Sequence, residues 1–568
     1  MVMTDTADWL LDALARAGVE CLFGIPDPAF LGVMRKAQER GFALVAPHHE
    51  AAGGFMAEAA ARLTGRPVAV MLSPGPGVAN ALPAMACARA ERAPVLFLGG
   101  ARGALRDAGL TGRFQHVDQM PLVAGAVKHA ERVEAAADLP AALGRCLAAM
   151  MEGVPGPAYL DCPFPVMMAR DVPVTAPAPP ALRRAPQEAV VGAAAQLRQA
   201  QAPMMLVGHG LDQASRLAVA DLARRLACPI VLTPGAACLP GLSHQCFPYA
   251  FSPVAAQIIA QADVVLAVGT ALGEAVHFGR RRHWREGDET RRWIALAPQA
   301  ASLEANRPIE VVLAGDLAVN ARALSAAIPA LVPQTYMAQW GEAERARLAA
   351  WSAQALGLPD APLHPARLVA ETMAACPAEA LLVRDGGASV LFQLAQSARH
   401  EGGVLWSRAF AHLGTGLPYA IGALVAERAR GDAPRPALVL SGDSAMLFHI
   451  GELEVAVRLR LPIVCVVAVD HQWGLEAAAY RQGYGPDAAS PGAGWGQATR
   501  FDRIGQGFGA TGLFVEKEGD LPGALAAAFA ASGPVVIHAA IDPRANGSDL
   551  PGWAELASWY SDGMAPPA

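Results

Sequence analysis

Two stretches in the last third of the chain end apolar runs in acids. Leu438-Val439-Leu440-Ser441-Gly442-Asp443-Ser444 is followed, after a helical spacer, by Ile463-Val464-Cys465-Val466-Val467-Ala468-Val469-Asp470-His471-Gln472-Trp473-Gly474. Short apolar runs bounded by turn residues read as buried parallel strands. Strands joined by a right-handed helical crossover end on the same sheet edge, so Asp443 and Asp470 can converge there. Two carboxylates at such an edge suit a hard divalent cation. Magnesium takes oxygen ligands in octahedral geometry and completes its shell with phosphate oxygens and water, so the pair suggests a diphosphate held through a metal. Taken alone, one Gly-Asp match equally fits an ordinary strand-helix-strand unit with solvated loop acids.

The segment resembles the diphosphate-binding signature of thiamine diphosphate enzymes: Gly-Asp-Gly, a spacer, then Asn-Asn, with glycine and an aromatic shortly after. The resemblance implies that Asp443 and Asp470 bind magnesium through their side chains and Gln472 through its backbone carbonyl, with Gly387, Gly442 and Ser444 against the cofactor. Two positions depart from the pattern. Ser444 takes the third place, and Val469-Asp470 replaces Asn-Asn, adding a negative charge beside the diphosphate.

Near the N-terminus, His48-His49-Glu50-Ala51-Ala52-Gly53-Gly54-Phe55 and Ser73-Pro74-Gly75-Pro76-Gly77-Val78-Ala79-Asn80 are similar to the pyrimidine-domain signature of the same family. There the resemblance sets Glu50 opposite the aminopyrimidine, with Gly75 and Asn80 beside the cofactor. A carboxyl sharing a proton with the ring nitrogen favours the imino tautomer, whose exocyclic nitrogen then removes the thiazolium proton. A third match, Phe410-Ala411-His412-Leu413-Gly414-Thr415-Gly416-Leu417-Pro418, is similar to the stretch whose aliphatic residue wedges between the two cofactor rings. Leu413 falls at the wedge and Ala411 where a backbone carbonyl holds the exocyclic nitrogen; forcing the rings together is catalysis by orientation.

These groups need three folded bodies to position them. At 568 residues, the chain exceeds one ordinary core. Strands and amphipathic helices alternate throughout, interrupted by Pro-rich stretches at Asp171–Pro186 and Ile328–Pro365. The expected fold class is α/β, with three doubly wound parallel-sheet domains: a pyrimidine domain at 1–170, a central domain at 188–330, a diphosphate domain at 364–545, and a tail at 546–568. The outer two are expected to share a fold, although no internal repeat is visible. The resemblance also implies a homodimer or a dimer of dimers (a homotetramer) with sites at subunit interfaces.

A net charge of −6 gives no electrostatic case for nucleic acid or an anionic membrane as partner. The nine cysteines lack metal-ligand spacing and read as reduced thiols, in keeping with a cytoplasmic protein. No uninterrupted apolar stretch is long enough to span a bilayer. A Gly-x-Gly-x-x-Gly turn after the first strand is missing, which disfavours a nicotinamide dehydrogenase.

The residues expected to choose the substrate are Ala29, Gln115, His116, His412, Trp473 and Leu475; His116 and His412 can equally be solvated loop histidines. Ala29 weighs against a benzaldehyde lyase, which carries histidine there. FAD, bound by acetolactate synthases in the central domain, is not expected, because Ala271-Leu272-Gly273-Glu274-Ala275-Val276-His277 replaces the Arg-Phe-Asp-Asp-Arg stretch. The resemblance implies an enzyme making or breaking a C–C bond next to a carbonyl, by 2-oxo acid decarboxylation and carboligation in the manner of acetolactate synthases. The alternatives are a 2-hydroxyacyl-CoA lyase or oxalyl-CoA decarboxylase type, favoured by Ser444 and by two central basic clusters, Arg280-Arg281-Arg282 and Arg291-Arg292, which can serve an ADP or coenzyme A phosphate or be solvated faces, and a non-catalytic, degenerate family member.

Overall fold

The computed structural model describes residues 3–102, 112, 114–174, 182–299, 306–330, 336–387, 389–396 and 399–545. The tail at 546–568 and parts of both Pro-rich stretches, 175–181 and 331–335, lie outside the described residues.

Three six-stranded sheets, each parallel throughout, carry the fold. The first is built from Cys21–Gly24, Ala43–Val45, Val68–Leu72, Val95–Ala101, His129–Arg132 and Ala158–Pro163. The second uses Pro203–Val207, Ile230–Leu232, Cys246–Pro248, Val264–Val268, Arg292–Ala297 and Val311–Ala314. The third uses Leu381–Arg384, Val404–Leu405, Ala437–Gly442, Ile463–Val469, Thr511–Val515 and Val535–Ala540. Counting strands within each sheet, the first and third share the order 2-1-3-4-6-5, while the second runs 3-2-1-4-5-6. The outer two domains thus share a doubly wound topology, as expected.

The strands are apolar on both faces because helices cover both faces. In the central sheet, Met205 and Val207 enter one core while Met204 and Leu206 enter the opposite one, the two-residue period of a strand. Of the two central basic clusters, Arg291 is buried and its guanidinium donates to the carbonyls of Ala262, Trp284, Ile259 and Glu286. It caps the ends of local structure and is committed there. Among the described residues, no helix is long and apolar enough to cross a membrane.

The chain forms two compact units. One contains the N-terminal sheet together with Ser407–Arg435 and His449–Leu461; the other contains the central and C-terminal sheets. In the first unit the helix Glu50–Thr64 is almost wholly buried, which its Ala- and Gly-rich sequence permits. The helix Gly416–Ala429 packs directly on it, and a Cβ built on Gly422 would overlap the Met56 backbone carbonyl. Gly54 is similarly constrained, since a Cβ there would stand 2.5 Å from the Cβ of Ala84.

Gly422→Ala is expected to destabilise this unit by about 1–3 kcal/mol or more through overpacking, because a helix backbone cannot retreat as a flexible side chain does. Denaturant unfolding followed by tryptophan fluorescence checks this; an unchanged midpoint would contradict the close packing.

Candidate active site

In an open parallel sheet, the ligand crevice lies beyond the strand ends where the strand order reverses. In the C-terminal sheet that point lies between its first and third strands, Leu381–Arg384 and Ala437–Gly442. Gly387 follows the first strand with φ of +113°, and a Cβ on it would come within 3.1 Å of the Gly442 Cα. Only glycine allows this approach, and the Gly442 N–H donates to the Gly386 carbonyl at 2.8 Å.

Asp443 begins the short helix after the third strand. Its carboxylate accepts from the backbone N–H of Ser444 at 2.8 Å and of His471 at 2.7 Å, fastening the two strand ends together. Burial, and then the charge of Asp470, push Asp443 up to about 7. Burial raises Asp470 as well. Its side chain accepts from Gln472 Nε2 at 3.1 Å, and a Cβ on Gly474 would stand 2.7 Å from its Oδ2. Gly387, Gly442, Asp443, Ser444, Asp470, Gln472 and Leu475 line one concavity. Two neighbouring carboxylates, one buried and one half-buried and both held toward the protonated form, fit a divalent cation that would neutralise them, and the glycine cradle fits a phosphate group.

Trp473 caps the following helix Gly474–Tyr484, with its ring edge-on to Phe448 and Trp495. A separate cavity of about 720 Å³ adjoins Asp470 and Gln472 and is lined by His471, Trp495, Arg500, Phe514 and His538.

In the other unit, Glu50 is the first residue of its helix, capped by the His49 Nδ1, which accepts the Ala51 N–H. Asn80 donates to Glu50 Oε2 at 3.1 Å and Ser73 Oγ lies 3.5 Å from Oε1. A Cβ on Gly77 would overlap Ser73 Oγ and stand 3.1 Å from Glu50 Oε1, so a side chain there would displace the groups around the carboxylate. The loop carrying Leu413 belongs to this same unit. Ala411 is exposed with φ of +57°, and Leu413 is half-buried. The His412 Nδ1–H donates to the Leu413 carbonyl at 2.6 Å, and its ring lies 4.9 Å from that of Phe55. Ala29 is buried on the loop after the first strand, with its N–H donating to Asp27.

Gln115 adopts φ of +49°, and its carbonyl would meet a Cβ on Gly75 at 2.7 Å. His116 beside it is exposed. The residue that grips Gly75 is instead Gln119, whose Oε1 accepts the Gly75 N–H at 2.7 Å. The Gln119 amide donates to the Gly100 carbonyl, Tyr159 and Asp161, so the Gly75 turn hangs on a fully satisfied buried amide. Sequence reasoning passed over Gln119, and also Glu452 and His449. The buried Glu452 carboxylate accepts the N–H groups of His48 and His49, just ahead of Glu50, at 3.0–3.2 Å, and burial pushes it up to about 7. His449 donates from Nδ1 to the Gly414 carbonyl, and burial pushes it down to about 4, so it is neutral at pH 7. The one available signal for Glu452 was an acid nine positions after Asp443 in an otherwise apolar stretch.

Models of the thiamine pyrophosphate enzyme N-terminal, central and C-terminal domains match residues 4–122, 190–324 and 385–539 in that order, and the chain belongs to this family. An acetolactate synthase large subunit of Mycobacterium tuberculosis is 28% identical, covering 93% of this chain and 94% of its own. A Pseudomonas aeruginosa protein named as a 2-ketoarginine decarboxylase is 30% identical over 79% of this chain and 78% of its own. A solved thiamin diphosphate-dependent enzyme from Mycobacterium smegmatis superposes with a TM-score of 0.73 at 22% identity, covering 94% of this chain and 99% of that one, a likeness of fold. Further relatives bear the names 2-hydroxyacyl-CoA lyase and oxalyl-CoA decarboxylase. The chain is a thiamine diphosphate-dependent enzyme of the decarboxylase and carboligase kind.

A carboxyl raised in the folded state favours folding below its unfolded value, and that stability is lost as pH climbs through the folded value, here about 7 for Asp443. A divalent cation relieves the loss by binding the ionised pair. Magnesium is therefore expected to raise the thermal midpoint more at about pH 8 than at about pH 6, and Asp443→Asn to remove the difference. Scanning fluorimetry reads this; equal shifts at both pH values would contradict the assignment.

Proposed function

We propose that this chain decarboxylates a 2-oxo acid and joins the remaining acyl unit to a second carbonyl compound, as an acetolactate synthase does, using thiamine diphosphate and magnesium. Thiamine diphosphate, when bound, supplies a nucleophilic carbon and an electron sink for the bond next to a carbonyl. In this reading Asp443, Asp470 and the Gln472 carbonyl hold magnesium, while Gly387, Gly442 and Ser444 receive the diphosphate. Glu50 would hold a proton at the pyrimidine end, Gly75 and Asn80 would border it, and Leu413 and the Ala411 carbonyl would seat the cofactor from the loop that bears them. Gln115, His116, His412 and Trp473 select the substrate. The reading carries with it a cytoplasmic homodimer or dimer of dimers.

The observation that carries the proposal is the arrangement at Glu50. Its carboxylate is fixed by Asn80, at the start of a helix, in the unit that also bears the Leu413 loop. A degenerate, non-catalytic chain would have no reason to keep this. A second reading, an acyl-CoA lyase or oxalyl-CoA decarboxylase type, is favoured by Ser444 and by the cavity of about 720 Å³ beside Asp470, which has room for a longer acyl donor.

Incubating the purified chain with thiamine diphosphate, magnesium and pyruvate is expected to release carbon dioxide and yield acetolactate or acetoin, with Glu50→Gln lowering turnover by about 10²–10⁴-fold. Cofactor binding without any product from pyruvate would refute pyruvate as donor. Product from a 2-hydroxyacyl-CoA or oxalyl-CoA under the same conditions would establish the second reading.

A further inference from the structure

We propose that Glu91 is a positioning residue that holds the loop bearing Ala411 and Leu413 in its working shape, an inference that rests on the role given to Leu413 above. Glu91 ends the helix Pro76–Ala90, the end whose dipole disfavours an acid. Its side chain is nonetheless fully buried. One oxygen, Oε1, accepts the backbone N–H of Ala409 at 2.6 Å and of Phe410 at 3.3 Å. The other, Oε2, lies 3.6 Å from the guanidinium of Arg62. Arg62 also pairs with Glu58 at 3.2 Å, and Glu58 accepts the hydroxyl of Tyr419, from the helix that follows the loop. Burial pushes Glu58 up, while the Arg62 charge opposes this.

A buried acid in this position is costly unless it is paired and hydrogen-bonded, and its partners here show where its influence goes. The two amides it grips lie immediately before Ala411, a non-glycine residue in the left-handed region. Such a conformation persists only where the surroundings over-determine it. Ser407 supplies the rest of the constraint: its carbonyl accepts the Ala411 N–H at 3.1 Å and its hydroxyl the His412 N–H at 3.2 Å. Glu91 and Ser407 together fix the loop from both ends of the turn, which aims the Ala411 carbonyl and the Leu413 side chain.

Two variants separate positioning from mere support of the fold. Glu91→Gln keeps an oxygen acceptor for both amides, whereas Glu91→Leu keeps none. In the full-length, cofactor-free protein, amide hydrogen exchange is expected to rise about tenfold or more at residues 407–413 in Glu91→Leu, with the helix Glu50–Thr64 unchanged. With thiamine diphosphate and magnesium bound, proton exchange at the thiazolium carbon is expected to slow about tenfold or more in Glu91→Leu, at near-unchanged cofactor affinity, because misplacement costs rate before it costs binding. Glu91→Gln should stay within about threefold of the parent in both measurements. Unchanged amide exchange at 407–413 in Glu91→Leu would overturn the proposal, as would unchanged thiazolium exchange, or a Gln variant as impaired as the Leu variant. A parent protein that shows no thiazolium exchange at all would overturn the assigned chemistry rather than the clamp, which the amide measurement tests independently.

Discussion

Two helices far apart in the chain touch backbone to backbone, and the N-terminal unit depends on that contact. Glu50–Thr64 and Gly416–Ala429 approach so closely that Gly422 has room for no side chain. Small residues let backbones come together, and close-packed backbones cannot adjust independently. The consequence is that Glu50, at the start of one helix, and the Leu413 loop, just before the other, are registered to each other by main-chain geometry. The Tyr419 hydroxyl, donating to Glu58, crosses the same pair of helices and resists sliding between them, while Arg62 ties Glu58 to Glu91 at the end of the helix Pro76–Ala90.

The C-terminal sheet solves a different problem. A parallel sheet offers one edge at which successive strands end together, and the reversal of strand order opens a crevice there. Two acids stand at that edge, Asp443 buried and Asp470 half-buried, and loss of water together with the charge of Asp470 raises Asp443. Their backbone partners, the N–H groups of Ser444 and His471, orient the Asp443 carboxylate but do not cancel the charge of the pair. The charge that remains is of the kind a divalent cation would neutralise.

The placement of Asp443 and Asp470 was legible in the sequence by a local rule, an acid after an apolar strand, whereas Glu50 stood out through the resemblance of its stretch to a family signature, since an acid opening a helix is by itself commonplace. The sheet class was legible by a local rule too, since the apolar runs are short and bounded by glycine. Glu91, Glu452 and Gln119 were not legible, because their meaning lies in backbone amides distant in sequence. An acid at a helix C-terminus, as Glu91 is, was the one discordant sign, for it opposes the helix dipole. The left-handed backbone at Gln115, Ala411 and His471 was equally hidden, as none of the three is a glycine. The basic cluster at Arg291-Arg292 carried a phosphate-binding alternative that the structure resolves differently for Arg291, whose donors are taken by carbonyls.

The matching strand order of the outer sheets, set against the different order of the central one, bears on where each can take a ligand. A given six-strand order is one of many that a right-handed parallel sheet can adopt, and its recurrence gives both outer sheets a reversal between their first and third strands. Glu50 follows the second strand of one of these sheets, whereas Asp443 and Asp470 follow the third and fourth strands of the other. One architecture, used twice, thus presents two different sets of acids beyond its strand ends.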